Sequence, residues 1–218
     1  MSALVAIDDV GFRYGRAPLV LSGVSAAFDE GQVHAITGPS GCGKSTLLYL
    51  IGLMLRPETG SIEVAGQATV RSGDRERALL RATHIGFVFQ DALLEPSMTV
   101  LENIAEGLPL SRSMRRHRTE ADSMLERVGV SELRDRKASR LSGGQAQRVA
   151  LVRAMLKSPA VLLADEPTGN LDDTSAAVVL GALFEYGRQP GHTCIVVTHD
   201  ERIAASADTV TRLALVSV

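Results

Sequence analysis

One nine-residue segment limits what this chain can fold into more than any other stretch. Residues 38–46 read GPSGCGKST, which fits the phosphate-binding pattern GxxxxGK[ST] at every fixed position. Its glycines lack a Cβ, so the backbone can take positive φ and wrap its N–H groups around anionic oxygens. The lysine adds a positive charge, and the serine can ligate Mg²⁺. We therefore predict that the phosphates of a nucleotide are held by Gly38, Pro39, Ser40, Gly41, Cys42, Gly43, Lys44, Ser45 and Thr46.

The segments on either side of this loop provide the context that the motif requires. Residues 33–37 form a short β-prone run, and residues 47–51 read as a helix. The N-terminus of such a helix carries a partial positive charge that favours phosphate. A glycine-rich turn that fits the pattern by accident would not need a strand before it and a helix after it. The context therefore favours a phosphate site over a structural turn.

Length and charge limit the classes of partner. The chain has 218 residues, enough for one α/β domain with a sizeable core. Its 23 basic and 25 acidic residues give a net charge of -2, so no global charge draws it to nucleic acid or to an anionic membrane. No stretch approaches the roughly 20 apolar residues that span a bilayer, and the first residues lack the basic region of a signal peptide. We expect a soluble, cytoplasmic protein without a nucleic-acid partner.

The two cysteines, Cys42 and Cys194, indicate a reducing compartment rather than a disulfide framework. One lies in the phosphate loop and the other in an apolar run. We predict that alkylation of the Cys42 thiol blocks nucleotide binding. Binding that persists after confirmed modification of Cys42 would contradict this prediction.

The periodicity of the remaining sequence predicts an α/β protein. Residues 2–37 and 60–66 carry alternating or β-branched runs broken by glycines, which is typical of strands. Residues 74–81 read as a short charged helix, and residues 91–140 show helical spacing, with Gly129 suited to a helix cap. The run at 161–164 is continuous and apolar, as in a parallel strand covered on both faces. The pattern indicates a β-rich opening, an inserted helical lobe and a parallel sheet.

Polar residues follow each of four apolar runs, those that end near residues 37, 89, 164 and 198. These residues are the phosphate loop, Gln90, the pair Asp165 and Glu166, and His199. Open α/β sheets bind ligands beyond the carboxyl ends of their strands, so we expect them to converge. Adjacent strand residues point to opposite faces, so one carboxylate can hold Mg²⁺ while the other orients a hydrolytic water. Phosphoryl transfer needs mainly positioning and charge neutralisation, which Lys44, Mg²⁺, Gln90 and His199 can supply.

The segment LSGGQ at residues 141–145 predicts a second anion site. It opens a helix, and its two glycines leave bare backbone N–H groups at the helix N-terminus. The candidate anion-binding residues there are Gly143 and Gly144.

In this order the motifs resemble an ATP-binding cassette (ABC) ATPase subunit over essentially the whole chain. The set consists of GPSGCGKST at 38–46, Gln90, LSGGQ at 141–145, VLLADE at 161–166, GNLD at 169–172 and His199. LSGGQ is the most specific element, since the others occur in many phosphate-loop enzymes. The resemblance implies a Mg²⁺-dependent ATPase with ATP and Mg²⁺ as cofactors. It also implies a phosphate-loop NTPase core with a mainly parallel sheet and an N-terminal antiparallel β subdomain (1–90 and 159–218), and an inserted α-helical subdomain (about 91–158).

The resemblance also implies roles for individual residues. Glu166 would be the general base, His199 the γ-phosphate sensor and Tyr14 the aromatic residue that stacks on the base. Asp172 would belong to the segment that links two nucleotide sites. The implied catalytic set is Glu166, His199, Lys44 and Gln90, and the implied metal ligands are Ser45, Gln90 and Asp165. Considered alone, Tyr14 is also typical of a half-buried strand residue.

In this family two cassettes pair head to tail, with each ATP between one subunit's phosphate loop and the other's residues 142–145. The resemblance implies that nucleotide is bound there by Ser142, Gly143, Gly144 and Gln145. A homodimer is therefore expected in the ATP-bound state. Residues 87–90, 98–104 and 164–172 resemble the bacterial branch that serves lipoprotein extraction, macrolide and peptide efflux, and cell division. That branch drives a separate integral-membrane permease, which would hold the chain on the inner face of the cell membrane. We predict that Leu93 and Leu94 contact a cytoplasmic helix of this permease.

Two other functions fit the same motifs. One is a nucleotide-gated signalling subunit of a cell-division-type complex. The other is a soluble ABC ATPase acting on nucleic acid, against which the near-neutral charge counts. The basic cluster at 112–118 reads as a solvated helix start, with contact to lipid headgroups or to an acidic partner as its alternative.

Overall fold

Two β-sheets form the frame of the protein, in a computed structural model that describes residues 2–109 and 113–216. The strands are β1 (Ala3–Phe12), β2 (Leu21–Asp29), β3 (Val33–Thr37), β4 (Thr59–Val64), β5 (Gln67–Ala68), β6 (Ile85–Val88), β7 (Val161–Asp165), β8 (Thr193–Val197) and β9 (Thr209–Arg212). The first sheet is antiparallel, with the order β2-β1-β4-β5. Val5 and Ile7 of β1 point into the core while Asp8 is exposed, so the predicted β-rich opening is confirmed.

The second sheet is parallel and has the order β6-β7-β8-β3-β9. All five residues of β7 and all five of β8 are buried, because helices cover both faces of a parallel sheet. Strands β6, β7, β8 and β3 are neighbours, so their carboxyl ends meet at one edge. The phosphate loop and the residues that follow β6, β7 and β8 therefore lie at the same edge, as predicted.

The part of the chain that the structure describes contains seven α-helices. They are α1 (Lys44–Ile51), α2 (Asp74–His84), α3 (Val100–Ala105), α4 (Met114–Arg127), α5 (Gly143–Met155), α6 (Asp173–Gly187) and α7 (Glu201–Ser206), with 3-10 turns at Ser131–Leu133 and Ala138–Arg140. Gly129 follows α4 with a φ of 69°, the left-handed conformation that ends many helices. Arg112 of the basic cluster lies outside the described residues, whereas Arg115, Arg116 and Arg118 are exposed on the first turns of α4.

The helical lobe is more interrupted than its spacing predicts. Residues 91–99 form no helix, and the buried side chain of Asn103 bonds the backbone of Glu95 and Thr99. Its Oδ1 accepts a hydrogen bond from the Glu95 N–H at 2.7 Å, and its Nδ2 donates to the carbonyls of Glu95 and Thr99 at 3.1 and 2.9 Å. Thr99 and Glu102 then form the capping box that begins α3. This irregular segment carries Leu93 and Leu94.

Among residues 2–109 and 113–216, buried hydrophobic side chains form two clusters. One contains the helical residues Ile104, Leu125 and Leu151 together with Leu162 and Val196 of the parallel sheet. The other joins α1 and the antiparallel sheet to the same strands. Since residues 91–158 share a core with the sheet, the proposed boundaries of the helical subdomain stay a prediction.

Two further predictions concern cysteines and membrane spans. Cys42 and Cys194 are both free and buried. Within residues 2–109 and 113–216, no helix is both long and apolar enough to cross a bilayer.

Candidate functional site

The phosphate loop runs from the end of β3 into the first turn of α1. Three glycines of the loop have positive φ, namely Gly38 (151°), Gly41 (80°) and Gly43 (93°), so the loop has the backbone conformation that the motif predicts. Gly43 is the last residue before α1, which places the loop at a helix N-terminus. Lys44 Nζ donates hydrogen bonds to the carbonyl oxygens of Gly38 and Pro39, both at 3.0 Å. The lysine charge is therefore held over the loop, where phosphate oxygens would lie.

Cys42 lies under the loop rather than on it. Its side chain is buried, and its N–H donates to the Pro39 carbonyl at 3.3 Å. A Cβ built on Gly38 would lie 2.7 Å from its Sγ. An alkylating reagent can reach the thiol only when the loop opens, so the alkylation prediction requires confirmed modification before it can be tested.

Tyr14 lies beside the start of α1. Its hydroxyl is 3.2 Å from Thr46 Oγ1, and its ring packs edge-on against Phe12 with centroids 4.8 Å apart. These two contacts fix the ring, yet 48% of the residue is exposed. An exposed, fixed ring next to the phosphate loop is what stacking on a nucleobase requires.

Asp165, the last residue of β7, is buried and bonded through both of its carboxylate oxygens. Ser45 Oγ donates to Oδ1 at 3.0 Å, and the Tyr49 hydroxyl donates to Oδ2 at 3.1 Å. Burial raises the pKa of Asp165, while these two hydrogen bonds act in the opposite direction. A hydroxyl and a carboxylate held 3.0 Å apart form an oxygen donor set of the kind that Mg²⁺ prefers.

Tyr49 is a residue that sequence reasoning missed at this site, because it was counted in the apolar run of α1. Burial, and then the neighbouring Asp165, raises the pKa of Tyr49 to about 12, so its hydroxyl stays protonated and can donate. The spacing between Ser45 and Tyr49 in the sequence could have indicated this role. Tyr49 is four residues after Ser45, so both side chains lie on the same face of α1.

Glu166 leaves the strand in an unusual conformation. Its φ is 46°, a left-handed conformation that is uncommon for residues other than glycine and clusters at functional sites. Its N–H donates to the Val197 carbonyl at 3.0 Å, and its Oε2 contacts Nδ1 of the exposed His199. The side chains of Asp165 and Glu166 therefore face different partners, as predicted. The left-handed backbone conformation of Glu166 contributes to this difference, in addition to the alternation of side chains along a strand.

Gln90 follows β6 and lies beside the turn that comes after β7. A Cβ built on Gly169 would lie 3.5 Å from its Nε2, so its amide packs against the segment that follows Glu166. The same segment is tied to the residue after Gln90, because Asn170 Nδ2 donates to Asp91 Oδ1 at 3.3 Å. The structure thus places Gln90 next to the Glu166 turn.

The second predicted anion site is the start of α5. Ser142 caps the helix and forms a capping box with Gln145, with hydrogen bonds of 3.0 and 3.3 Å. Among the described residues, no heavy atom outside the local helix lies within 4 Å of a Cβ built on Gly143. The space beside Gly143, on the side where a side chain would lie, is therefore open.

Gly144 has a packing role that the sequence did not reveal. A Cβ on Gly144 would lie 2.4 Å from Oγ and 2.9 Å from Cβ of Ser175, so α6 could not approach α5 as it does. Asp172 caps α6 by accepting hydrogen bonds from the N–H and Oγ of Ser175 at 2.9 and 2.8 Å, which lower its pKa. Residues 166–172 therefore run from the end of β7 to the start of α6, which packs against the start of α5 at Gly144.

Comparison with known proteins decides the family. A family model described as ABC transporter matches residues 21–169, more than half of the chain. The protein is an ABC transporter ATPase. This ABC ATPase is 44% identical over 191 residues to the lipoprotein-releasing system ATP-binding protein LolD 1 of Caulobacter vibrioides, with 85% of this chain and 80% of that protein covered. It is 43% identical over 216 residues to LolD of Anaeromyxobacter dehalogenans, with 96% and 90% covered.

Solved structures agree. The dimeric post-hydrolysis state of the ATP-binding cassette MJ0796, bound to ADP and Pi, matches this ABC ATPase with a TM-score of 0.84 and 33% identity, over 98% of this chain and 97% of that one. CbiO1 of Clostridium perfringens, part of the ABC transporter complex cbiONQ, matches with a TM-score of 0.86 and 28% identity, over 100% and 88%. The predicted family, fold class and activity are confirmed: the chain is the ATP-binding, ATP-hydrolysing subunit of an ABC transporter and uses ATP and Mg²⁺.

Proposed function

We propose that ATP draws two copies of this chain together head to tail, that hydrolysis separates them, and that this cycle works a membrane permease which releases lipoproteins. The observation that carries the proposal is the pair of anion sites on one chain, the phosphate loop and the open start of α5 at Gly143. One ATP per chain needs one phosphate loop, so the second site suits a partner's ATP. The dimeric state of MJ0796 supports the pairing.

The cargo class rests on the named relatives. Both Caulobacter vibrioides LolD 1 and Anaeromyxobacter dehalogenans LolD are lipoprotein-releasing system ATP-binding proteins. This favours lipoprotein release over a cell-division-type signalling subunit and over an ATPase acting on nucleic acid. In this proposal the chain lies on the cytoplasmic face of the membrane, held there by the permease.

Within each site we propose that Mg²⁺ is held by Ser45 and Asp165, with Gln90 as a third ligand. Ser45 and Asp165 already lie within hydrogen-bonding distance of each other, and Gln90 would reach the metal from the end of β6. Lys44 would neutralise charge on the β- and γ-phosphates. The other phosphate contacts would come from the backbone of residues 38–46, and the base would stack on Tyr14.

For hydrolysis we propose Glu166 as the general base and His199 as the sensor of the γ-phosphate. Their direct contact supports a shared task, because each side chain restricts the orientation of the other. The residues 142–145 of the second copy would complete the site. Asp172, which caps the helix packed on Gly144, would link one site to the other.

The permease would dock in a groove of about 500 Å³ between α2, α5 and the segment before α3. Its apolar lining includes Phe87, Phe89 and Leu93, and its charged lining consists of Arg81, Arg153, Lys157 and Glu106. Arg153 holds the segment in place by donating to the carbonyls of Ala92 and Leu93, both at 2.8 Å. Because its charged lining has three basic residues and one acidic residue, the groove suits an apolar helix that carries an acidic side chain.

Leu93 and Leu94 lie in different surroundings. Leu93 is 62% exposed and lines the groove, whereas Leu94 is partly buried against the helical core. Leu93 is therefore the residue to test for contact with the permease, since a charge at Leu94 would also disturb the core.

We expect Leu93→Asp to reduce the amount of permease that co-purifies with the tagged chain from detergent-solubilised membranes by about tenfold or more. A charge in the centre of an apolar contact commonly costs over 1.4 kcal/mol, which corresponds to that factor. Aspartate tolerates the positive φ of 46° at this position, so the fold should be retained. ATP binding by the purified variant should stay unchanged.

Leu79→Asp is the matched control, because Leu79 is 63% exposed but lies outside the groove. This variant should keep the permease at the wild-type amount. Equal recovery of the permease with both variants would contradict docking at Leu93. If the wild-type chain recovered no integral-membrane protein at all, the proposed coupling to a permease would be wrong.

A further inference from the structure

The two oxygens of Asp165 are held by two side chains from one face of α1. Ser45 is the first of them and is the proposed Mg²⁺ ligand, and Tyr49 is the second, one helical turn later. Ser45 can bind a cation through a lone pair of Oγ while its O–H still donates to Asp165 Oδ1. The Tyr49 hydroxyl donates to the other oxygen, Oδ2, at 3.1 Å, so the two bonds together restrict rotation of the carboxylate about its Cβ–Cγ bond.

The ring of Tyr49 is itself held in place. It packs against Phe87 of β6 with centroids 5.8 Å apart, and Phe87 stacks on Phe89 at 4.2 Å. The Phe89 carbonyl accepts a hydrogen bond of 2.7 Å from the buried amide of Gln147 on α5. Packed aromatic rings thus hold the Tyr49 side chain in place, and with it the hydroxyl that donates to Asp165.

We infer that Tyr49 is a positioning residue for Mg²⁺: its hydroxyl orients Asp165 so that the carboxylate and Ser45 Oγ together present the geometry that the ion requires. The inference rests on the proposed role of Ser45 and Asp165 as metal ligands. Mg²⁺ demands near-ideal octahedral geometry, so a carboxylate free to rotate binds it less well. Hydrogen-bond partners of metal ligands commonly contribute ten- to a hundredfold to metal affinity or activity.

The experiment measures how much Mg²⁺ strengthens ATP binding, as the ratio of the Kd for ATP in EDTA to the Kd in excess Mg²⁺. Each variant is made in the full chain carrying Glu166→Gln, so that ATP is not consumed. Tyr49→Phe removes one hydroxyl and keeps the ring. We expect it to leave the Kd in EDTA unchanged and to lower the Mg²⁺-dependent ratio about tenfold.

Two further variants make the result specific. Phe87→Leu keeps the Tyr49 hydroxyl but removes the ring beneath it, and should lower the ratio by a smaller factor. Tyr186→Phe is the matched control, because it also removes one tyrosine hydroxyl, one that donates to the Pro159 carbonyl at 2.7 Å. It should leave the ratio unchanged.

A Tyr49→Phe variant with the full Mg²⁺-dependent ratio would overturn the inference, and so would one that weakens binding equally with and without Mg²⁺. Asp165→Asn separates this from a failure of the proposed metal site. If Asp165→Asn abolishes the ratio while Tyr49→Phe leaves it intact, the metal site stands and the role of Tyr49 is wrong. If Asp165→Asn retains the ratio, the proposed metal ligands are wrong.

Discussion

Replacing Glu166 with Gln is expected to lower ATP turnover by a hundredfold to ten-thousandfold, the range for loss of a general base, and to trap a dimer in ATP. The amide keeps the size of the side chain but cannot take a proton from water. The backbone of Glu166 is fixed independently of that side chain, since its N–H bonds to Val197 and its carbonyl accepts from Gly169. The loss should therefore be one of chemistry and not of folding.

Sedimentation velocity with and without ATP, alongside phosphate release, measures both effects in one preparation. Lys44→Ala serves as the control, because removal of the charge held over Gly38 and Pro39 should abolish ATP binding, turnover and dimer together. A Glu166→Gln protein that binds ATP yet stays monomeric would contradict the proposed pairing. One that hydrolyses ATP at the wild-type rate would show that Glu166 is not the base.

The parts of the fold that follow from local pattern were predictable. Strand β3 occupies residues 33–37 as predicted, because a β-branched run stops at the first loop glycine. The charged helix predicted at residues 74–81 extends to His84, where β6 begins with no loop between them. The helical spacing of residues 91–140 overstated the helices, since residues 91–99 form no helix and the side chain of Asn103 bonds the backbone of Glu95 and Thr99.

In the candidate site, too, some features follow from a general rule and others depend on contacts that the sequence does not show. That the ends of β3, β6, β7 and β8 converge follows from the rule for parallel sheets, so the residues that meet there could be named from the sequence. The packing of Gly144 against Ser175, the positive φ of Glu166 and the bond from Tyr49 to Asp165 depend on contacts between segments distant in sequence. No local pattern reports such contacts, although the four-residue spacing from Ser45 hinted at the last of them.

Two neighbouring glycines at the start of α5, Gly143 and Gly144, allow an effect on dimerisation to be separated from an effect on folding. The second large effect is expected at Gly143. Gly143→Asp should lower ATP-driven dimerisation and turnover by at least about a hundredfold, because a carboxylate would face the partner's γ-phosphate and like charges in an interface cost several kcal/mol. The fold should not suffer. The side chain enters open space, and an acidic residue in the first turn stabilises a helix.

Gly144→Ala provides the contrast within the same motif. Its Cβ would press on Oγ and Cβ of Ser175, so we expect a loss of about 1–3 kcal/mol in the free energy of unfolding, as for other overpacked contacts. Thermal unfolding and ATP binding by the monomer distinguish the two variants: Gly143→Asp should match wild type in both, and Gly144→Ala should unfold earlier. A Gly143→Asp protein that dimerises normally in ATP would show that the start of α5 does not meet a partner's nucleotide, and the head-to-tail arrangement would then be wrong even though the chain hydrolyses ATP.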